Sequence, residues 1–329
     1  LTDRVYLDHA ATTPLRPEAR AAMEEGLALW ANPSSPHGEG RKAKNALEDA
    51  RARIKAACDW DGEVIFTSGA SEALWIALNR AKATRRIVSA VEHDAVLRAA
   101  PDAEISSDES TFDASTILAV QHVNSETGVI NPVGAMAETL EPTGAVLLSD
   151  CSQSAGKLAL PKGDMLVVSA HKLGGPIGIG ALLVRDWNLL EPMGGHERGY
   201  RQGTENMPGA LGFAAALEAG EWATTAEERA AFASALGEAK LTFGDQTDYI
   251  FALAHPTMSA QALLIRLDAM GIAVSAGSAC SSGTLKKSRV LDAFGVSDDV
   301  AARTIRVSLG WNTTTAELDR FIEAWKSLT

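Results

Sequence analysis

Cysteine is scarce: Cys58, Cys151 and Cys280 are the only three in 329 residues. Their odd number, wide spacing and lack of a CxxC pair argue against a disulfide framework or a zinc knuckle, so a reducing, cytoplasmic setting without a structural metal is expected. Excess positive charge is lacking as well. Thirty Lys and Arg side chains face 42 Asp and Glu, a net charge of -12, which repels phosphate backbones and anionic lipid and so disfavours nucleic-acid and membrane partners. No apolar run approaches the roughly 20 residues of a membrane span, and the opening LTDRVYLDHAATTP has no apolar stretch of the signal-peptide kind. Internal repeats, charge blocks and low-complexity linkers are missing too, so composition marks no domain boundary. A small-molecule substrate suits this balance best.

What is present is ordinary globular material, with 46% hydrophobic and 22% charged residues, in a chain long enough for one large domain and a smaller one. Apolar runs closed by small or polar clusters recur: EVIFTSGASE, RRIVSAVEHDA, STILAVQHVNSETG, GAVLLSDCSQSAG, MLVVSAHKLGG and IGIGALLVR. Short runs of this kind predict strands covered on both faces, and helical patterns between them predict crossover connections. In GRKAKNALEDARARIKAAC, the residues Ala43, Leu47, Ala50, Ile54 and Ala57 make one apolar stripe. From Pro208 the texture shifts to Ala- and Glu-rich helix, then the strand TIRVSLG, then a final helix with Thr314 and Glu317 spaced as a capping box. The expectation is an α/β large domain over 14–207, a smaller α+β C-terminal domain over 208–329, and an N-terminal segment 1–13 joined to it.

Ligands of open α/β sheets gather at the carboxyl ends of strands, so the residues closing each run are the first candidates. TSGASEALW offers a Ser/Gly turn before a helix, whose backbone N–H groups suit a phosphate; alone, such a start is most often only a cap. Asp150 closes one strand. Lys172 follows another, in HKLGG, where desolvation can free a nucleophilic amine; alone, it reads more often as a lysine reaching solvent through a loop. Together the three parts are those pyridoxal phosphate (PLP) requires: an amine for its aldehyde, a carboxylate for its ring nitrogen and a cradle for its phosphate.

With those parts in place the chain resembles the class V aminotransferase superfamily of fold-type I PLP enzymes, and specifically the NifS/IscS-like cysteine desulfurases. The likeness runs through YLDHAATTP, NPSSPHGEG, FTSGASEA, VEHDAVL, HVNSETG, DCSQSAGK, SAHKLGGPIGIGAL, GGHERGYRQGTEN, SAGSACSSGTLKKSRVL and TIRVSLG. It implies a large domain with a mostly parallel seven-stranded sheet flanked by helices. It implies that Lys172 holds PLP covalently, with His171 and Ser169 beside it, Asp150 on the pyridine nitrogen and Gln153 on the phenolic oxygen. By the same likeness His93 stacks on the ring and moves protons, Ala70 and Ser71 bind the phosphate, and Thr204 reaches the phosphate of a second subunit in a homodimer. Asn124 and Ser125 lie where relatives contact cofactor and substrate. The resemblance also implies that Arg306 clamps the carboxylate of L-cysteine and that Cys280 takes its sulfur as a persulfide destined for an acceptor or iron-sulfur scaffold protein.

Alternation in TIRVSLG by itself reads Arg306 as a solvated side chain, and SAGSACSSG by itself reads as a flexible loop with an incidental cysteine. The resemblance turns both into working parts. The cysteine needs a support that can travel between a pocket and an acceptor, and the length from Cys280 to SRVL matches the long-loop group. The chain departs from the pattern at Ser125, where a second asparagine is common, at Leu74 and Trp75, and at Trp311, where arginine is usual. It is also shorter than relatives between Val96 and Ser115, in the small domain and at the C-terminal tail. These departures keep open another class V PLP enzyme, such as an aminotransferase or selenocysteine lyase, or a weakly active homologue serving as a binding partner.

Overall fold

The computed structural model describes residues 4–276 and 288–329. In chain order it runs β1 (Val5–Tyr6), α1 (Pro17–Ala28), α2 (Gly38–Ala57), β2 (Glu63–Thr67), α3 (Ala70–Arg80), β3 (Arg85–Val88), α4 (Asp94–Ala99), β4 (Glu104–Ile105) and β5 (Thr116–Ala119). There follow α5 (Val133–Leu140), β6 (Val146–Asp150), β7 (Met165–Ser169), β8 (Gly180–Val184), α6 (Met207–Ala219) and α7 (Ala226–Ala235). The last elements are β9 (Ile250–Ala254), α8 (Ala260–Ala269), β10 (Ile272–Ala273), α9 (Arg289–Ala293), α10 (Asp298–Ala301), β11 (Thr304–Ser308) and α11 (Thr315–Leu328).

Two compact units emerge, the larger from residues 14–122 and 131–220, the smaller from the segment up to Thr13 with 123–130 and 221–329. In the larger unit seven strands form one sheet in the order β2-β8-β7-β6-β5-β3-β4. Strand β8 is antiparallel to both neighbours and the remaining pairs are parallel. This is the mostly parallel α/β sheet of fold type I. Its strands are apolar without alternation because both faces are covered: Leu166 and Val168 of β7 join one core with α2 and α6, while Met165 and Val167 join another with α3 and α4. Six strands lie in the six apolar runs. The seventh, β4, is two exposed residues and has no such signal.

The expected boundary after residue 207 differs from the observed one. Helix α6 belongs to the larger unit, where it packs on α1 and α2 so closely that a Cβ at Gly26 would come within 2.6 Å of the Pro208 Cα. Its sequence MPGALGFAAALEA is apolar on all sides, the mark of a core helix rather than the opening of a new domain. Residues 123–130 leave the larger unit for the smaller, tied there by Ile130 N donating to Asp245 O and Thr247 N to Gly128 O, both at 2.9 Å. The stripe of α2 also ends differently: Ala57 is exposed, and Cys58, four residues after Ile54, is buried in its place.

In the smaller unit β9 and β11 pair antiparallel, and Phe232 of α7, Phe251 of β9 and Phe321 of α11 meet edge-on, their ring centroids 5.6 and 5.9 Å apart. Both α7 and α11 begin with complete capping boxes, Thr225 with Glu228 and Thr314 with Glu317. Among the described residues no helix is long and apolar enough to cross a membrane.

Candidate active site

Within the larger unit the carboxyl ends of neighbouring strands collect the polar groups. Strand β6 ends at Asp150, whose Oδ1 accepts from Ser152 N at 2.9 Å. Its neighbour β7 ends at Ser169 and passes through one 3-10 turn, Ala170–Lys172, to present His171 and Lys172. Ser169 and Gln153 are buried. His93 follows β3 and caps α4, its Nδ1 accepting from Ala95 N at 3.1 Å. That bond leaves Nε2 as the protonated nitrogen of the neutral ring.

These groups act on one another. His93 is exposed as a residue, yet desolvation by the surrounding protein, with the Lys172 charge second, holds its pKa below the usual value against the pull of Asp150 and Asp94. His171 is pushed down to about 4, first by burial, then by Lys172 and Lys157. Lys157, which the sequence reading passed over inside DCSQSAGK, is lowered to about 7 by burial and by Lys172. Lys172 is thus the common neighbour of two imidazoles and a second amine.

At the same edge, α3 opens at Ala70 and Ser71 without a side-chain cap. Gly69, at φ 150°, makes the turn into it, a conformation that L side chains rarely adopt. Gly180 lies against this turn, since a Cβ there would come 2.8 Å from the Gly69 Cα. Glu72 folds back to accept from Ser68 N and pairs with Arg201 at 3.8 Å. Thr204 is exposed in the loop before α6.

The smaller unit carries a second cluster. Arg306 is 5% exposed, so it is not the solvated arginine that alternation alone suggests. Its Nη2 pairs with Asp8 Oδ1 at 2.7 Å and its Nη1 donates to the Ser125 carbonyl at 2.9 Å. Asn124 is buried and commits its side-chain oxygen to its own turn, accepting from Glu126 N and Thr127 N at 2.9 Å and from Thr127 Oγ1 at 3.0 Å. Its observed bonds therefore shape the loop. Asp8 was missed by the sequence reading; the available signal was an acidic residue closing the run VYL. Cys280 lies outside the described residues. Cys58 and Cys151 are buried, their thiols raised to about 12 by burial, and they behave as small apolar groups.

The larger unit's groups fit PLP by the chemistry of their donors. Lys172 is an amine for the aldehyde, Asp150 a carboxylate for a protonated ring nitrogen, and the start of α3, opened by a glycine at positive φ, a set of uncapped N–H groups for a phosphate. Sheet order and strand-end groups together define an α/β transferase of fold type I.

The sequence matches the family "Aminotransferase class-V" over residues 5–321. It is 35% identical to "Cysteine desulfurase" of Cereibacter sphaeroides, covering 98% of this chain and 94% of that one. It is 34% identical to "Cysteine desulfurase IscS" of Shewanella sp. (strain ANA-3), covering 97% and 91%. Among solved structures, "NIFS-LIKE PROTEIN" superposes with a TM-score of 0.85 at 26% identity over 99% of each chain. "SspA in complex with cysteine" does so with a TM-score of 0.79 at 27% identity over 94% of this chain and 99% of the other. The chain belongs to the class V aminotransferase family, in its NifS/IscS-like cysteine desulfurase group.

Proposed function

We propose that this protein is a PLP-dependent cysteine desulfurase that converts L-cysteine to L-alanine and retains the sulfur as a persulfide on Cys280. The observation that carries the reading is the shared neighbourhood of Lys172, Asp150 and His93 at the strand ends of the larger unit, in a chain whose named relatives are cysteine desulfurases. Lys172, Asp150, Gln153, Ser169, His171 and the α3 start at Ala70 and Ser71 would hold PLP, with Thr204 supplied to a second copy in a homodimer. Bound there, PLP supplies an electron sink that acidifies the substrate Cα.

The chain's own residues do the rest. Arg306 takes the substrate carboxylate, a task suited to its planar fork, while Ser125 and Asn124 shape the loop beside it. Lys172 Nζ carries the Cα proton, and His93 presents Nε2–H from a ring kept neutral by its depressed pKa. The Cys280 thiolate attacks the substrate sulfur: an S–S bond forms, the C–S bond breaks and the former Cβ takes a proton. L-Cysteine and one thiol thereby become L-alanine and one persulfide, with no outside oxidant. The persulfide then passes to a sulfur acceptor or iron-sulfur scaffold protein in the cytoplasm.

Purified protein supplied with PLP, L-cysteine and a thiol reductant is expected to release alanine and sulfide. Lys172→Ala and Cys280→Ala should each lose about 10²-fold or more of that rate, as removal of a nucleophile or proton carrier does. Alanine production that is indifferent to Cys280 overturns the persulfide step.

A further inference from the structure

Arg306 is held by a segment that is itself fixed by several bonds. The segment before it in space is nailed down: Asp8 bridges Ser308 in parallel, Ser308 N donates to Leu7 O at 2.8 Å, and Ala10 N donates to Ser308 Oγ at 2.9 Å. Tyr6 Oη adds bonds to the carbonyls of Asp8 and Thr12 at 3.2 and 2.9 Å. Since Arg306 and Ser308 share one face of β11, this bridge sets the Asp8 carboxylate beside the guanidinium. The pair is little exposed, at 6% for the Arg306 side chain and 22% for Asp8.

The fork is only partly used. Nη2 meets Asp8 and Nη1 meets the Ser125 carbonyl, but Nε is buried without a hydrogen-bond partner among the described residues. A buried donor left unmet is costly, and two fixed bonds already define the plane in which it points. Two acceptors on the terminal nitrogens and an Nε enclosed by protein hold the guanidinium plane in one orientation, the property on which planar recognition of a carboxylate depends. Asp8 has a second effect: it offsets the arginine charge, so an arriving anion meets a tempered cation rather than a trap.

We infer that Asp8 is a positioning residue for substrate recognition, fixing the Arg306 guanidinium and moderating its charge so that the carboxylate of a small amino acid is oriented yet released. The inference rests on the reading of Arg306 as the carboxylate clamp and adds a residue to it.

The test uses the PLP-loaded protein and two probes: 3-mercaptopropanoate, which has the substrate's carboxylate and thiol without its amine, and cysteamine, which lacks the carboxylate. Calorimetric titration of Asp8→Asn is expected to show 3-mercaptopropanoate bound about 3- to 10-fold more tightly than by wild type, with cysteamine changed by less than about twofold. With L-cysteine the same variant should show KM and kcat falling together, as expected for a tighter but misaligned ground state. Asp8→Glu keeps the charge on a longer arm, so anion affinity should stay within about twofold while kcat drops about tenfold. An Asp8→Asn variant with native far-UV dichroism that binds 3-mercaptopropanoate no more tightly than wild type overturns the inference. So does an Asp8→Glu variant with wild-type kcat, which decides the matter if Asp8→Asn does not fold. Failure of the underlying reading is separate: Arg306→Gln would then bind 3-mercaptopropanoate as wild type does.

Discussion

His171 shows how far the pocket governs the state of a single side chain. Its imidazole, pushed down to about 4 by burial and by two neighbouring amines, stays neutral where an unfolded histidine gains a proton. An unfolded chain takes up that proton as pH falls through about 6.5, and the folded chain does so only near 4. Its contribution is therefore fully present above about pH 6.5 and is lost as pH falls toward 4. In cofactor-free protein, denaturant unfolding across that window should show wild type losing about 1–3 kcal/mol more than His171→Asn. An equal loss in both would place the proton uptake elsewhere. The same neighbourhood keeps His93 neutral, so the two imidazoles present proton-bearing nitrogens without adding positive charge beside Lys172.

At the scale of elements, the loop that follows β8 is held by one buried ion pair. Glu197 and Arg198 sit at φ 48° and 57°, unusual for residues with side chains, and Glu197 compensates through its carboxylate. That group, 2% exposed, takes two bonds from Arg51 of α2 at 2.8 and 2.9 Å and one from Phe66 N of β2 at 2.9 Å. Removing Glu197 leaves Arg51 with the more exposed Glu48, at 3.1 Å, and the Val64 carbonyl in place of two buried charge-assisted bonds. Glu197→Ala should accordingly cost about 3–5 kcal/mol of unfolding free energy, and Arg51→Met should cost less, because a carboxylate that keeps its bond from Phe66 N can still be protonated. A loss under about 1 kcal/mol for Glu197→Ala would show that the loop is held by its other contacts. Thr204 belongs to the same GGHERGYRQGTEN segment, so the ion pair also steadies the proposed phosphate contact of a second copy.

At the scale of the whole molecule, the path of the chain matters more than its composition. Because α6 completes the core against α1 and α2, a fragment ending at Gly220 should unfold cooperatively. One ending at Met207 should bind the hydrophobic dye ANS and melt broadly. Indistinguishable melts would mean that α6 adds little to the larger unit. No local pattern marked this, since an Ala-rich apolar helix reads the same at the end of one domain as at the start of the next.

Much of the protein is nevertheless determined by sequence alone. Apolar runs without alternation can be buried only between layers, which dictates an α/β sheet, and strand closure by Asp150, Ser169 and Lys172 gathers those side chains at one edge whatever the loops do. Tertiary structure decided what depends on partners remote in the chain. Arg306 and Asp8 lie 298 positions apart, and only the bridge between β11 and the N-terminal segment turns an alternating, outwardly polar strand into a buried, oriented guanidinium. The side-chain oxygen of Asn124 is likewise absorbed by its own turn. Local pattern reports which face a residue occupies; the charge and donors that meet it there come from chain that folding brings in from elsewhere.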